Sequence, residues 1–375
     1  MVAALDVRVE TGERLGPHDL DAVTGLVEAA TEADGLHPLS EHVMLHLRYG
    51  GEGPARHLLV FTPDGGAEDT TGERLAAYAH LDPTDPVEGS SAELVVHPAL
   101  RRHGIGRLLV HSLEQATPDG RLRLWAHGQL PSARALAADL GYERARELWQ
   151  MRRSLYGPLP LVELPPGYTL RTFSAGADDE AWLAVNAAAF AHHPEQGGWT
   201  LQDLHQRMAE PWFDPAGFLL LDGPDGDLAG FHWTKVHGGS DHVGGDHGGE
   251  PHHHHGADPH EALHDASGED HPHELHGHDP IGEVYVVGVS PGHQGHRLGR
   301  ALTIAGLQHL RQLGLPQAML YVDADNAAAI RTYTNLSFTR WDVDAMFARG
   351  AGPGRPAPPA SPAVPPAPAS PDEFA

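Results

Sequence analysis

Apolar side chains along this chain recur at two spacings. Between Leu20 and Ala33, and again between Asp178 and Phe190, they return every three or four residues, which predicts amphipathic helices. Leu58–Phe61 and Phe218–Leu221 are short continuous apolar runs, strand-sized and far below the roughly 20 residues that span a bilayer. Gly217–Leu221 and Leu228–Lys235 read as two strands joined by the turn Asp222–Asp227, rich in Asp and Gly.

The pattern occurs twice. Glu93-Leu94-Val95-Val96-His97-Pro98 precedes Arg101-Arg102-His103-Gly104-Ile105-Gly106-Arg107, as Val286-Val287-Gly288-Val289-Ser290-Pro291 precedes Gln294-Gly295-His296-Arg297-Leu298-Gly299-Arg300. The shift is 193 residues, from Gly106 to Gly299. Further on, Leu122–Trp125 with Leu140-Gly141-Tyr142 matches Met319–Val322 with Leu336-Ser337-Phe338, shifted by 197 and 196. Each copy reads as a helix, a strand pair, a β-rich run, a Gly-containing turn opening a helix, a strand, an Ala-rich helix and a final strand. The expected organisation is an α/β (α+β) module at 5–156, a Pro-rich linker at 157–167 and a second module at 168–348.

Composition sets two segments apart. Residues 237–279 hold 13 His and 10 Asp or Glu with no Lys or Arg, and 351–375 hold nine prolines. Neither has enough apolar surface to offset its ordering entropy, so a disordered insertion and an extended tail are expected. Runs such as His252–His255 offer ligands to Zn²⁺, Ni²⁺ or Cu²⁺, but at no spacing that preorganises a site. An expanded hydrophilic loop is the preferred reading, with a lid or a pH-dependent role as alternatives, and no metal is required.

The whole chain has 375 residues, 51 acidic against 25 basic side chains, and a formal charge of −26. That charge argues against nucleic-acid or anionic-membrane partners. The N-terminus lacks a basic region followed by an apolar one, so a cytoplasmic monomer is expected. There is no Cys, hence no disulfide, no thiolate zinc site and no cysteine nucleophile. Lys235 is the one lysine in a chain that otherwise uses arginine.

A strand followed by Arg/Gln-x-x-Gly-x-Gly and a helix has a specific use. Glycine allows positive φ and close backbone approach, and the helix N-terminus offers unpaired N–H groups to a pyrophosphate. Two such turns, each after a Val-rich strand and a proline, resemble the GCN5-related N-acetyltransferase (GNAT) family. Copy one matches at Arg101, Gly104 and Gly106. Copy two matches at Gln294 and Gly299, but Arg297 stands at the first glycine, where it adds a charge contact to phosphate or twists the loop away. The resemblance extends to two-domain members through Trp125–Gly128, His193–Thr200, Trp212–Pro215, Gly230–His237, Gly282–Val289, Leu320–Val322 and Arg331–Tyr333.

The resemblance implies two tandem modules, each a mixed, mostly antiparallel sheet flanked by helices. It implies transfer of acetyl from acetyl-CoA to the cysteinyl amine of a cysteinyl-glucosaminyl-inositol. Acetyl-CoA would lie on Leu94, Val95, Val96, Arg102, His103, Gly104, Ile105, Gly106 and Arg107 in copy one. In copy two it would lie on Val287, Gly288, Val289, Gln294, Gly295, His296, Arg297, Leu298, Gly299 and Arg300, with Asn326, Ala327, Ala328, Ala329, Ile330 and Arg331. The acceptor would meet Glu41, Glu195, Lys235, Glu283 and Tyr321.

Amide formation from a thioester needs a base for the amine and an acid near the departing thiolate. Glu283 and Tyr333 are candidates, and their partners in copy one are Ser90 and Ala137, which handle no proton. Copy two is therefore the expected catalytic half. Copy one either retains acetyl-CoA without turnover or serves as a scaffold. The alternatives are a GNAT enzyme for another amine, and a His-rich metal-binding protein on a degenerate scaffold.

Overall fold

The computed structural model describes residues 6–50, 54–63, 72–85, 88–191, 193–238 and 280–349. Most of the His-rich segment, 239–279, and the Pro-rich tail, 351–375, lie outside the described residues. The first half contains β1 (Arg8–Gly12), α1 (Pro17–Asp34), α2 (Glu41–Tyr49), β2 (Arg56–Pro63), β3 (Glu73–Asp82), β4 (Ser90–Val96), α3 (Ile105–Ala116), β5 (Leu122–Ala126), α4 (Pro131–Asp139) and β6 (Glu143–Ser154). The second contains β7 (Thr169–Thr172), α5 (Asp179–Ala189), α6 (Pro194–Gly197), α7 (Leu201–Met208), β8 (Phe218–Asp222), β9 (Leu228–His237), β10 (Ile281–Val289), α8 (Leu298–Gln312), β11 (Gln317–Asp323), α9 (Ala327–Asn335) and β12 (Thr339–Ala348).

The helices at Pro17–Asp34 and Asp179–Ala189 and the strands about Asp222–Asp227 fall where the apolar spacing puts them. Between α1 and the strands the first half adds α2, whose N-cap Ser40 accepts from the Val43 N–H. His237 differs from its expected place in the insertion. It is the last residue of β9, registered opposite Ile281.

All twelve described strands form one sheet in the order β1-β2-β3-β4-β5-β12-β6-β11-β10-β9-β8-β7. Only β4–β5 and β10–β11 are parallel. Their pairing is brief: Ser90–Ala92 with Leu122–Leu124, and Gly282–Glu283 with Ala318–Met319. Beyond those residues the parallel partners splay apart, while β3 and β9 still cover the other edges of β4 and β10. Each half thus has an opening beside the strand that leads into its Gly turn.

The last strands are exchanged. β12 pairs with β5 from Ala345↔Ala126 to Ala348↔Arg123, while β6 pairs with β11 from Gln317↔Ser154 to Asp323↔Leu148. β6 and β12 also pair with each other, from Thr339↔Arg152 to Ala348↔Glu143. The two cores follow the exchange. Phe347 packs in the first-half cluster with Leu109 and Leu113 of α3, and Met151 and Leu155 pack with Ile304, Leu307 and Leu310 of α8. A final strand does not complete its own copy, as the repeat alone suggests. Tyr142 and Phe338 anchor in their own halves, and each chain then crosses to the other.

Candidate active site

The two turns close the ends of β4 and β10. In the first, Arg102 (φ 69°) and Gly104 (φ 87°) are left-handed; in the second, Gly295 (φ 88°) and Arg297 (φ 59°). The positions correspond under the shift of 193, so each turn has the same two left-handed sites, filled Arg then Gly in one copy and Gly then Arg in the other. Arg297 therefore keeps the turn, and α8 starts immediately after it. A non-glycine residue held there costs of order 1–3 kcal/mol. A Cβ added at Gly104 or Gly295 would meet nothing within 4 Å, so the backbone conformation sets the residue type rather than crowding. Arg101 is spent structurally: its guanidinium forks onto Asp34 of α1 at 2.7 Å through both Nη atoms.

Between the halves runs a cleft of about 2440 Å³. Its walls include Glu41 from α2, Lys235 from β9, Glu283 and Tyr285 from β10, Tyr321 from β11 and Trp212. Lys235 is 8 % exposed, pairs with the Glu41 carboxylate across the two halves, and lies 4.7 Å from the Trp212 ring centroid. A carboxylate and an aromatic face thus replace water around this buried ammonium. Glu283 is registered directly opposite Lys235 and is 7 % exposed. Its Oε2 accepts from His237 Nε2 at 2.6 Å. Burial pushes its carboxyl pKa up, but the His237 hydrogen bond, His237's charge and the Lys235 charge together hold it below the usual value. The Tyr321 hydroxyl accepts from Gln150 Nε2 at 2.9 Å, a bond between β11 and the exchanged strand β6.

Tyr333 stands on the other side of β10. It is half-buried on α9, packs with Val287 against one core cluster, and meets the Phe338 ring edge-on at 5.8 Å. Its hydroxyl has no hydrogen-bond partner among the described residues. Burial pushes its pKa up to about 12, so the phenol stays protonated at neutral pH. Of their counterparts in the first half, Ser90 and Ala137 are both buried and offer no acid or base.

A model of the acetyltransferase (GNAT) family matches residues 29–142 and 184–338, once in each half. The mycothiol acetyltransferase of Streptosporangium roseum is 54% identical over 381 aligned residues, covering 92% of this chain and the whole of that protein. That of Acidothermus cellulolyticus is 52% identical over 349, covering 93% and 97%. The chain belongs to the GNAT family, among the mycothiol acetyltransferases. Among solved structures, the fold is similar to a tandem GNAT protein from the clavulanic acid biosynthesis pathway, with a TM-score of 0.62 at 17% identity, over 93% of this chain and 100% of that one.

Against this family background, the implied acceptor residues Glu41, Lys235, Glu283 and Tyr321 share one cleft. Glu195 lies on α6, and its side chain is outside what the structure describes. The implied coenzyme residues of copy two lie along β10, its turn and the start of α9, where Asn326 Oδ1 caps the helix by accepting from the Ala329 N–H at 3.0 Å. Those of copy one lie along β4 and the Arg102–Arg107 turn. GNAT acetyltransferases use acetyl-CoA, and the substrate class is a small molecule. No helix among the described residues is long and apolar enough to cross a membrane.

Sequence reasoning missed several cleft residues. His127 sits between Glu93 (Nε2–Oε2, 3.2 Å) and Asp344 (Nδ1–Oδ2, 3.1 Å), and Asp344 Oδ1 also accepts from the Gly128 N–H at 2.8 Å. Asp344 belongs to β12, so this cluster pins an exchanged strand to the first half. Arg207 donates through Nε to the Tyr285 hydroxyl at 2.9 Å and covers the Trp199 ring at 3.8 Å. His127 stood in a family-like string, but its partner Asp344 is 217 residues away and no local signal links them.

Proposed function

We propose that this protein transfers acetyl from acetyl-CoA to the cysteinyl amine of 1D-myo-inositol 2-(L-cysteinylamino)-2-deoxy-α-D-glucopyranoside, the last step of mycothiol biosynthesis. The observation that carries the reading is the asymmetry of the repeat. At the aligned positions copy two has a buried carboxylate, Glu283, and a protonated phenol, Tyr333, where copy one has Ser90 and Ala137. The relatives' names support the acceptor.

In this reading the backbone N–H groups of Val287 and Val289, on the open edge of β10, receive the pantetheine arm and the developing oxyanion. The Gly295–Gly299 turn and the N-terminus of α8 take the pyrophosphate. Glu283 draws the acceptor's ammonium to the cleft side and serves in removal of its first proton. The amine nitrogen then bonds to the thioester carbon, the C–S bond breaks, and the nitrogen's remaining excess proton balances the one that Tyr333 delivers to the thiolate. Transfer is direct, because the chain has no Cys to carry an acyl group. Lys235 and Glu41 contact the hydroxyl-rich inositol–sugar portion, with Tyr321 and Glu195 beside them. The proposal includes a monomeric, cytoplasmic enzyme that needs no metal and binds neither nucleic acid nor membrane; the net charge of −26 supports the last two parts.

The test is mass-spectrometric detection of the N-acetyl product from acetyl-CoA and the cysteinyl conjugate, alongside an aminoglycoside and a peptide amine. Preferred acetylation of the conjugate is expected; preference for another amine overturns the acceptor assignment. Glu283→Gln should cut turnover by about 10² or more, the usual range for acid–base catalysis, while sparing acetyl-CoA binding.

A further inference from the structure

The cleft contains a second proton-handling group that neither repeat nor motif singles out. His237 closes β9, its side chain 35 % exposed, and it lines the same cleft as Glu41, Lys235 and Tyr321. Its Nε2 lies 2.6 Å from Glu283 Oε2. An ionised carboxylate can only accept, so Nε2 carries the hydrogen and donates it. In the neutral ring that bond fixes the tautomer, with the lone pair on Nδ1. Nδ1 has no hydrogen-bond partner among the described residues, and the ring stands at the cleft surface rather than under it.

We propose that His237 is the general base of the reaction, taking the acceptor's proton on Nδ1 while Glu283 orients the ring and stabilises the imidazolium. The inference rests on the reading of the Glu283 side of the cleft as the acceptor site.

Two arguments favour the imidazole over the carboxylate as the final seat of the proton. The first is positional. Glu283 is buried, and one of its two oxygens is already occupied by His237, whereas His237 lines the cleft with an Nδ1 that has no partner among the described residues. The second is energetic. An α-amino group titrates near 7.7–8.0 and an ordinary glutamate near 4.3, so direct transfer is uphill by more than about a thousandfold. The pairing with His237 and the charge of Lys235 lower Glu283 further, which widens the gap. An imidazole ring can accept a proton on one nitrogen while donating from the other, which suits a base that must take up and release a proton in each turnover. The titratable groups around the pair are Glu283 on β10, Lys235 on its own strand, Glu41 from α2 and Tyr321 on β11.

The proton balance is complete without another reactant. One proton of the substrate ammonium passes to Nδ1 and from there to solvent. The neutral amine forms the C–N bond, the C–S bond breaks, and the second proton lost from nitrogen balances the one gained by the coenzyme thiolate.

The experiment uses the full chain and its His237→Gln, His237→Ala and Glu283→Gln variants. Glutamine places an amide nitrogen where Nε2 was, so it can still donate to Glu283 but cannot take up a proton. We expect both His237 variants to lower kcat by about 10²-fold, with the KM for acetyl-CoA within about twofold of the parent. The acid limb of the kcat–pH profile between pH 5.5 and 9 should disappear in His237→Gln. Turnover of His237→Gln within threefold of the parent, or an acid limb unchanged in that variant, overturns the inference and leaves His237 as a positioning residue at most. If Glu283→Gln is impaired while His237→Gln is normal, only this inference falls. If Glu283→Gln turns over normally, the reading of the acceptor site falls with it.

Discussion

The cluster joining Glu93, His127 and Asp344 yields a prediction whose size and pH dependence both follow from the structure. Burial alone would push the His127 pKa down, but hydrogen bonds to Asp344 and Glu93, with the charges of both, raise it from 6.5 to about 10. At 1.36 kcal/mol per pH unit, the folded state favours the charged ring by roughly 5 kcal/mol, shared between two carboxylates. Asp344→Asn keeps the shape and an oxygen for the Gly128 N–H but removes one charge. It should cost about 2 kcal/mol, in the range for a hydrogen bond to a charged group. The sign of the pH effect follows from linkage. A raised histidine pKa contributes stability that is fully present below the unfolded value of 6.5 and is lost as pH climbs towards 10. The deficit of Asp344→Asn should therefore be about 2 kcal/mol at pH 6 and fall below about 0.5 kcal/mol at pH 10. Urea unfolding at pH 6, 8 and 10 measures it. A deficit equal at all three values, or absent at pH 6, refutes the assignment of a charged clamp between β12 and the first half.

Three further outcomes are expected. Tyr333→Phe should lower turnover by about 10² while leaving thermal stability and acetyl-CoA KM unchanged; with the phenol pushed up to about 12, its ionisation should not reduce parental turnover below pH 10. Arg297→Gly should relieve a left-handed residue and raise stability by about 1 kcal/mol in denaturant titration, yet raise the KM for acetyl-CoA by removing a cation at the turn. His80 is buried, its Nε2 has no partner, and burial with the neighbouring His46, His57 and His42 lowers its pKa to about 3. A lowered histidine pKa drains stability as pH falls from 6.5 towards 3, so His80→Leu should gain about 2 kcal/mol at pH 5 relative to its effect at pH 7.5. Equal effects at both pH values would contradict it.

How legible was the site before the structure? Glu283 and Tyr333 stand out because the repeat supplies its own comparison: Ser90 and Ala137 occupy the aligned positions of the first copy. Lys235 stands out by composition. His237 does not, because although it ends the family-like string Gly230–His237 it is also the first of 13 histidines in a segment of skewed composition. Only its pairing with Glu283 across β9 and β10 separates it from the rest. The left-handed Arg297 was equally hidden. The loss of a glycine reads as a damaged turn until Arg102 is seen to hold the same conformation two aligned positions earlier in the other copy.

The strand exchange was illegible for a deeper reason. Two copies of one module have interchangeable ends: β6 and β12 each follow an aromatic anchor, and each is fit to lie beside a penultimate strand of either half. Local pattern reports that a residue alternates in and out of a sheet, not which of two equivalent sheets receives it. What decides between them is side-chain complementarity across long sequence separations. Phe347 reaches the α3 core, Met151 and Leu155 reach the α8 core, and Asp344 reaches His127 while Arg146 of β6 forks onto Asp323 of β11 at 2.6 and 2.9 Å. The exchange also ties the first half structurally to the second, whatever its own chemistry. The first half donates β6 to the second half and receives β12, and through α2 it sets Glu41 against Lys235. The cleft is lined by residues of both halves, so in the proposed reading the first copy helps to shape the acceptor site of the second.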